Sequence, residues 1–229
     1  MKRKIVTKLM AIVLAGVLLT GSVTPGFHMS RVQAAEDLFN TRYDFNFEDG
    51  IEGWYYGEGW EYQYNGAKPT LESDTENGRM KIAVDFSQDA DKNWSNIAAC
   101  WKSEEGIDLS GVTQISMDIW YETEKLTEGE LKLAFYSNCG IDVNTSLIDV
   151  QEEEGTGLTK ARAVFGFPAI GSDAVTDLAV KIVGCNTGYS GAVWIDNIQF
   201  EAKDSETGDE SEQPDTSVDS TLAANSGNP

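Results

Sequence analysis

Along the middle of the chain, apolar and polar residues alternate in short runs separated by turn formers. Tyr43, Phe45 and Phe47 alternate with Asp44 and Asn46 ahead of Glu48-Asp49-Gly50, and Met80, Ile82, Val84 and Phe86 alternate with Lys81, Ala83 and Asp85. A period of two turns one face of an extended segment to a core and the other to water, so these runs predict half-buried strands. Comparable runs occupy 94–101, 112–121, 130–137, 158–165, 178–183 and 192–201, and no stretch of 37–203 sustains a helical period. About eight to eleven strands joined by Asn, Asp, Gly and Ser turns predict an all-β chain, an antiparallel β-sandwich of jelly-roll type.

The two ends of the chain break this pattern. Lys2, Arg3 and Lys4 precede a short apolar run and the small-residue site Val32-Gln33-Ala34-Ala35, which reads as a secretory signal peptide over 1–34. From Asp204 the chain is acidic, Ser/Thr-rich and free of aromatic residues, the composition of a disordered linker or tail over 204–229. The domain then spans 35–203, long enough for one core.

Charge and residue usage narrow the function classes. Loss of the signal removes five of the 17 basic residues and none of the 38 acids, leaving 12 against 38, a net charge of −26. So acidic a chain repels phosphate backbones and anionic bilayers, which argues against nucleic acid and membrane partners but not against neutral polysaccharide. The only histidine, His28, falls in the signal, so Ser-His-Asp, Cys-His and His-ligated metal chemistry are excluded from the mature chain. Cys100, Cys139 and Cys185 fit no zinc spacing. An exported chain can oxidise two of them, and Cys139 with Cys185 is the pair expected because both end an apolar strand at a Gly/Asn turn; three reduced thiols are the alternative.

The candidate chemistry is aromatic. Trp54, Tyr55, Tyr56, Trp60, Tyr62 and Tyr64 crowd one stretch, with Gly53, Gly57 and Gly59 between them. So many rings cannot all be core, and flat rings at a surface suit the weakly polar faces of sugars. Alternation puts Trp60, Tyr62 and Tyr64 on one face of their segment. In the next aromatic strand Ile97 and Ala99 take the core side, which turns Trp94 outward beside Asn96, a ring and an amide suited to a pyranose and its hydroxyl. Trp120 lies opposite Ile115, Met117 and Ile119, on the face of Ser116 and Asp118, where it could be exposed on the concave side. Trp54 reads as either a core plug or a platform.

Both ends of the domain carry further motifs: Phe45-Asn46-Phe47-Glu48-Asp49-Gly50 with Gly53-Trp54, and Trp194-Ile195-Asp196-Asn197-Ile198. These resemble the galactose-binding-like β-sandwiches that serve as carbohydrate-binding modules of secreted bacterial glycoside hydrolases. Gly53-Trp54 through Trp60-Glu61-Tyr62, with Asp85-Phe86 and Asn93-Trp94-Ser95-Asn96, is similar to the family 27 mannan-binding modules of β-mannanases. The resemblance implies adjacent first and last strands and a structural calcium ion held by Glu48 and Asp196, with the Asn46 carbonyl and an oxygen from 72–77. It also implies a tryptophan-lined groove for one mannan chain, a third tryptophan being open among Trp101, Trp120 and Trp194.

The expected function is therefore a non-catalytic, secreted module binding β-mannan, glucomannan or a related plant cell-wall polysaccharide, with Trp60, Tyr62, Trp94, Asn96, Trp120 and Trp54 as candidate contacts and a glycoside hydrolase domain as its partner. One alternative is a small β-sandwich glycoside hydrolase using paired carboxylates. Another is an adhesion or scaffold domain. The acidic clusters Glu104-Glu105 and Glu152-Glu153-Glu154 read as solvated loops.

Overall fold

A computed structural model describes residues 39–171 and 174–203. The expected signal peptide and acidic tail lie outside the described residues. The described residues contain twelve strands: β1 (Phe39–Phe45), β2 (Tyr55–Tyr56), β3 (Thr70–Asp74), β4 (Arg79–Asp85), β5 (Ser95–Asp108), β6 (Val112–Glu122), β7 (Glu130–Ser137), β8 (Ile141–Ser146), β9 (Ile148–Glu153), β10 (Leu158–Gly166), β11 (Ala174–Cys185) and β12 (Ser190–Lys203). They form two antiparallel sheets, one ordered β3-β4-β12-β6-β10-β9 with β1 also on β12, the other β2-β5-β11-β7-β8. The two sheets share one core, so the all-β sandwich holds.

Core formation follows the alternation. Ile115, Met117, Ile119 and Tyr121 from β6 meet Ile97, Ala99 and Trp101 from β5, together with Leu178, Val180 and Ile182 from β11. In β12 the buried series runs Val193, Ile195, then Ile198, Phe200, a step of three where two is expected. A bulge between Asp196 and Gln199 causes this change of phase, with Asn197 at φ 50°. The extra residue keeps apolar side chains inside on both halves of a long strand and sets Asp196 beside the end of β1. The first and last strands pair directly from Phe39↔Lys203 to Phe45↔Ile198.

Three sequence expectations are corrected here. The segment carrying Trp60, Tyr62 and Tyr64 does not keep one face: Gln63 has φ 53°, and the turn sends Tyr64 inward, edge-on to Phe86 at 5.6 Å. Glu152 and Glu153 belong to β9, an edge strand paired with β10, because Leu158↔Glu153 begins a hairpin ladder. Cys139 and Cys185 are not bridged, and all three cysteines are free. Register explains it: Cys185 pairs with Glu130, whereas Leu178 pairs with Ser137, two residues before Cys139. Seven residues of extended chain put the two cysteines ~23 Å apart, far beyond disulfide reach.

Candidate functional site

The outward face of the five-stranded sheet is built from three cross-strand rows. Asn96, Val183, Lys132 and Ser146 lie side by side; so do Ala98, Lys181, Ala134 and Asn144; so do Cys100, Ala179, Tyr136 and Asp142. Ala98, Cys100 and Ala179 pack together with Tyr136, and Ala134, Val183 and Cys185 pack with Trp94. The result is a floor of small, buried side chains with a ring at either end. Burial pushes the Cys100 thiol up to about 11, so this cysteine is an inert floor residue.

Residues 55–64 form the wall along β5. Tyr55 and Tyr56 pair with Cys100 and Ala99, and Tyr62 exchanges both backbone hydrogen bonds with Asn96. Between these anchors Gly57 donates its N–H to the Ala98 carbonyl at 2.9 Å. A Cβ there would stand 2.4 Å from the Cys100 sulfur, so only glycine lets the chain cross the floor this closely. The loop is then tied by Glu61, whose carboxylate accepts from the Tyr56 hydroxyl and, at 2.7 Å, from the Gly59 N–H.

That loop holds Trp60 over the floor, 39% exposed, edge-on to Tyr136 at 5.0 Å and with the Lys181 ammonium 5.7 Å from its ring. Tyr62 is 54% exposed. Trp94 is half-buried against the other end of the floor, and Asn96 is buried with its amide oxygen unpartnered. Four of the six expected contact residues are thus gathered on one face.

The structure does not bring Trp120 or Trp54 there. Trp120 does point outward, but from the opposite sheet and only 3% exposed. The Arg79 guanidinium covers it at 3.7 Å, Lys160 approaches at 4.8 Å, and its indole N–H donates to Glu153 at 2.9 Å. Trp54 is 1% exposed in an aromatic core cluster with Phe45 and Phe47. Trp101 is also core, and Trp194 lies beside Trp120. The additional ring on the sugar-type face is Tyr136, with Lys181 as its cation. Both were readable: alternation in Leu131, Leu133 and Phe135 turns Tyr136 outward, and Ile182 does the same for Lys181.

A second feature sits at the β1 and β12 junction. Asn46, Glu48, Thr75, Glu76, Asn77, Gly78, Asp196 and Asn197 line a hollow of about 310 Å³. Gly78, at φ 62°, takes a backbone conformation that suits glycine and brings the chain beside Glu48 and the Asn46 carbonyl. Burial, with the Asp118 charge in addition, raises the Asp196 pKa above the usual carboxylate value. Among the described residues no three acidic, cysteine or histidine side chains form a metal cluster by themselves. The lining pairs carboxylates with amide and carbonyl oxygens, the donor type that suits a hard cation.

An aromatic-edged floor on a two-sheet all-β scaffold defines a carbohydrate-binding β-sandwich. The profile of carbohydrate binding module 27 matches residues 32–203, and the chain belongs to that family. The module is non-catalytic and binds polysaccharide. Its fold is similar to that of TmCBM27, a carbohydrate-binding module with specific mannan recognition, at 17% identity and a TM-score of 0.55, covering 72% of this chain and 99% of that one. It is equally similar to CBM27-1 of Caldicellulosiruptor saccharolyticus, solved with mannohexaose, at 17% identity and TM-score 0.55, covering 69% and 95%. A CBM28 module specific for non-crystalline cellulose follows at 16% identity and TM-score 0.50, covering 69% and 92%. No curated protein matches the chain.

Proposed function

We propose that the module holds one extended β-mannan chain across the outward face of the five-stranded sheet. The observation that carries this reading is the placement of Trp60 with Tyr136 at one end of the small-residue floor and Trp94 at the other. Ala179 and Val183 mark those ends on β11, ~13 Å apart for four extended residues, a span for more than one sugar ring. Rings at both ends would cover the C–H faces of separate sugars, each adding roughly 0.5–1.5 kcal/mol beyond burial, and Lys181 between them would donate to hydroxyls. Family membership and the mannan ligands of the two family 27 neighbours support mannan as the polymer.

The carboxylates around this face argue against a hydrolase. Glu61 is committed to Tyr56 and Gly59, and Asp177 to Lys102 and Thr176, so neither is free to serve as the acid or base partner of Asp142, the carboxylate on the Tyr136 row. The test is retention on insoluble mannan beside an assay for reducing sugar. Retention with no sugar release supports the reading, and release or absent retention refutes it. Tethering a secreted glycoside hydrolase domain to plant cell wall is the role that follows, supported by the basic and apolar N-terminal stretch.

Structural calcium belongs to the same proposal. Glu48, Asp196 and the Asn46 carbonyl line the hollow at the β1–β12 junction, where a divalent cation would offset the half-buried charge of Asp196 and clamp the first strand to the last. A ligand that binds only the folded state raises stability by mass action. Chelation is therefore expected to lower the unfolding midpoint of the wild type by several degrees and leave Asp196→Ala unaffected; equal midpoints with and without chelator in the wild type would remove calcium from the account.

A further inference from the structure

The two walls of the sugar face come from segments distant in sequence, 60–65 and 94–96, and one buried side chain joins them. Asp89 is 1% exposed. Its Oδ1 accepts from the Asn65 side-chain amide at 2.6 Å. Its Oδ2 accepts from the Asn65 backbone N–H at 3.1 Å and from the Ser95 hydroxyl at 3.0 Å. Asn65 lies three residues after Tyr62, and Ser95 directly follows Trp94.

The carboxylate is itself fixed by backbone bonds. The Asp89 N–H donates to the Phe86 carbonyl at 2.8 Å, and its own carbonyl accepts from Lys92 at 2.7 Å. A buried carboxylate persists where donors replace its hydration, and charge-assisted bonds are the stronger kind. The donors to the carboxylate itself, from Asn65 and Ser95, all belong to the two wall segments.

We propose that Asp89 is a positioning residue that presets the gap between the Tyr62 wall and the Trp94 end of the floor before sugar arrives. The proposal rests on the reading of Trp60, Tyr62 and Trp94 as the sugar contacts. Without the carboxylate, the loop after Tyr62 keeps the Tyr62–Asn96 bridge and the Tyr64 contacts with Asp85 and Phe86 but loses its tie to Ser95 beside Trp94, and setting the gap between the two walls falls to the ligand.

The test uses the whole chain and mannohexaose in titration calorimetry, with Asp89→Ala, Asp89→Asn, Asn65→Ala and Trp60→Ala. Asp89→Ala is expected to raise Kd about tenfold while stoichiometry stays at that of the wild type. A purely structural role would behave differently, lowering the unfolding midpoint and the binding-competent fraction while Kd of the folded molecules stays constant. Asp89→Asn is expected to bind within about twofold of wild type, because its amide oxygen takes the place of Oδ2 and its NH₂ donates to a turned-over Asn65 carboxamide. Should Asp89→Ala fail to fold, Asn65→Ala removes one of the three bonds to the carboxylate, along with the amide's bond to the Gln63 carbonyl, from an exposed residue and is expected to raise Kd about threefold. Unchanged Kd in the folded Asp89→Ala protein, or in Asn65→Ala, overturns the positioning role provided that Trp60→Ala weakens binding. Unchanged Kd in Trp60→Ala instead overturns the reading of the face on which it rests.

Discussion

Replacement of Trp60 by Ala is expected to weaken binding of mannan by about 2 kcal/mol, roughly thirtyfold, with little change in unfolding midpoint. The ring is 39% exposed, so the free module buries only part of it, and its chief packing partner is Tyr136 on the same face. A sugar ring laid on it would bury the rest and gain the stacking contribution. Lys181 shares in the loss: its ammonium faces the Trp60 ring at 5.7 Å, and removal of that ring frees it to reorient in water. The wall keeps its shape in the variant because it is tied by Gly57, Glu61 and Tyr62 and not by the indole. Affinity electrophoresis in soluble galactomannan and a thermal melt read the two quantities separately. Equal migration of variant and wild type would remove Trp60 from the site.

Trp54, six residues earlier in the same aromatic stretch, is expected to give the opposite result. Trp54→Ala should cost about 3–5 kcal/mol of stability and lower the unfolding midpoint by roughly 10 °C, with Kd of the folded protein unchanged. Its indole lies edge-on to Phe45 at 5.3 Å and to Phe47 at 6.5 Å, and both are fully buried, so truncation opens a cavity that rigid neighbours cannot fill. The Trp54 indole N–H is buried without a partner, a standing cost. Trp54→Phe removes that group and keeps most of the ring contact, and is expected to stay within about 1.5 kcal/mol of wild type. Denaturant unfolding of the two variants separates cavity from polar burial. A Trp54→Ala protein as stable as wild type would contradict the packing account.

Residue by residue, alternation carried the fold and the direction of several candidate side chains. Ile97 and Ala99 on the core side oriented Trp94 and Asn96 correctly, and the same argument turned Trp120 outward. Alternation reports direction, however, and not what lies above a side chain. Trp120 is covered by Arg79 from β4, forty-one positions earlier, and by Lys160 from β10, partners that only strand order brings together. The period-two rule also assumes uninterrupted extended backbone, which Gln63 breaks with a positive φ, so Tyr64 left the face assigned to it. At Asp196 a bulge breaks it again. The Cys139–Cys185 pairing failed for a related reason: similar turn contexts at two strand ends say nothing about which ends of the sheet they occupy. Asp89 gave no signal, since one acid among many in an acidic chain becomes informative only when its donors converge.

The most direct measurement is the structure of the module with mannohexaose bound. The account predicts sugar rings on the outward face of the five-stranded sheet, one over Trp60 and another at Trp94, with Lys181 within hydrogen-bonding distance of a hydroxyl. Mannohexaose seated on the opposite sheet, beside Trp120 and Trp194, with the Trp60 face empty, would contradict it.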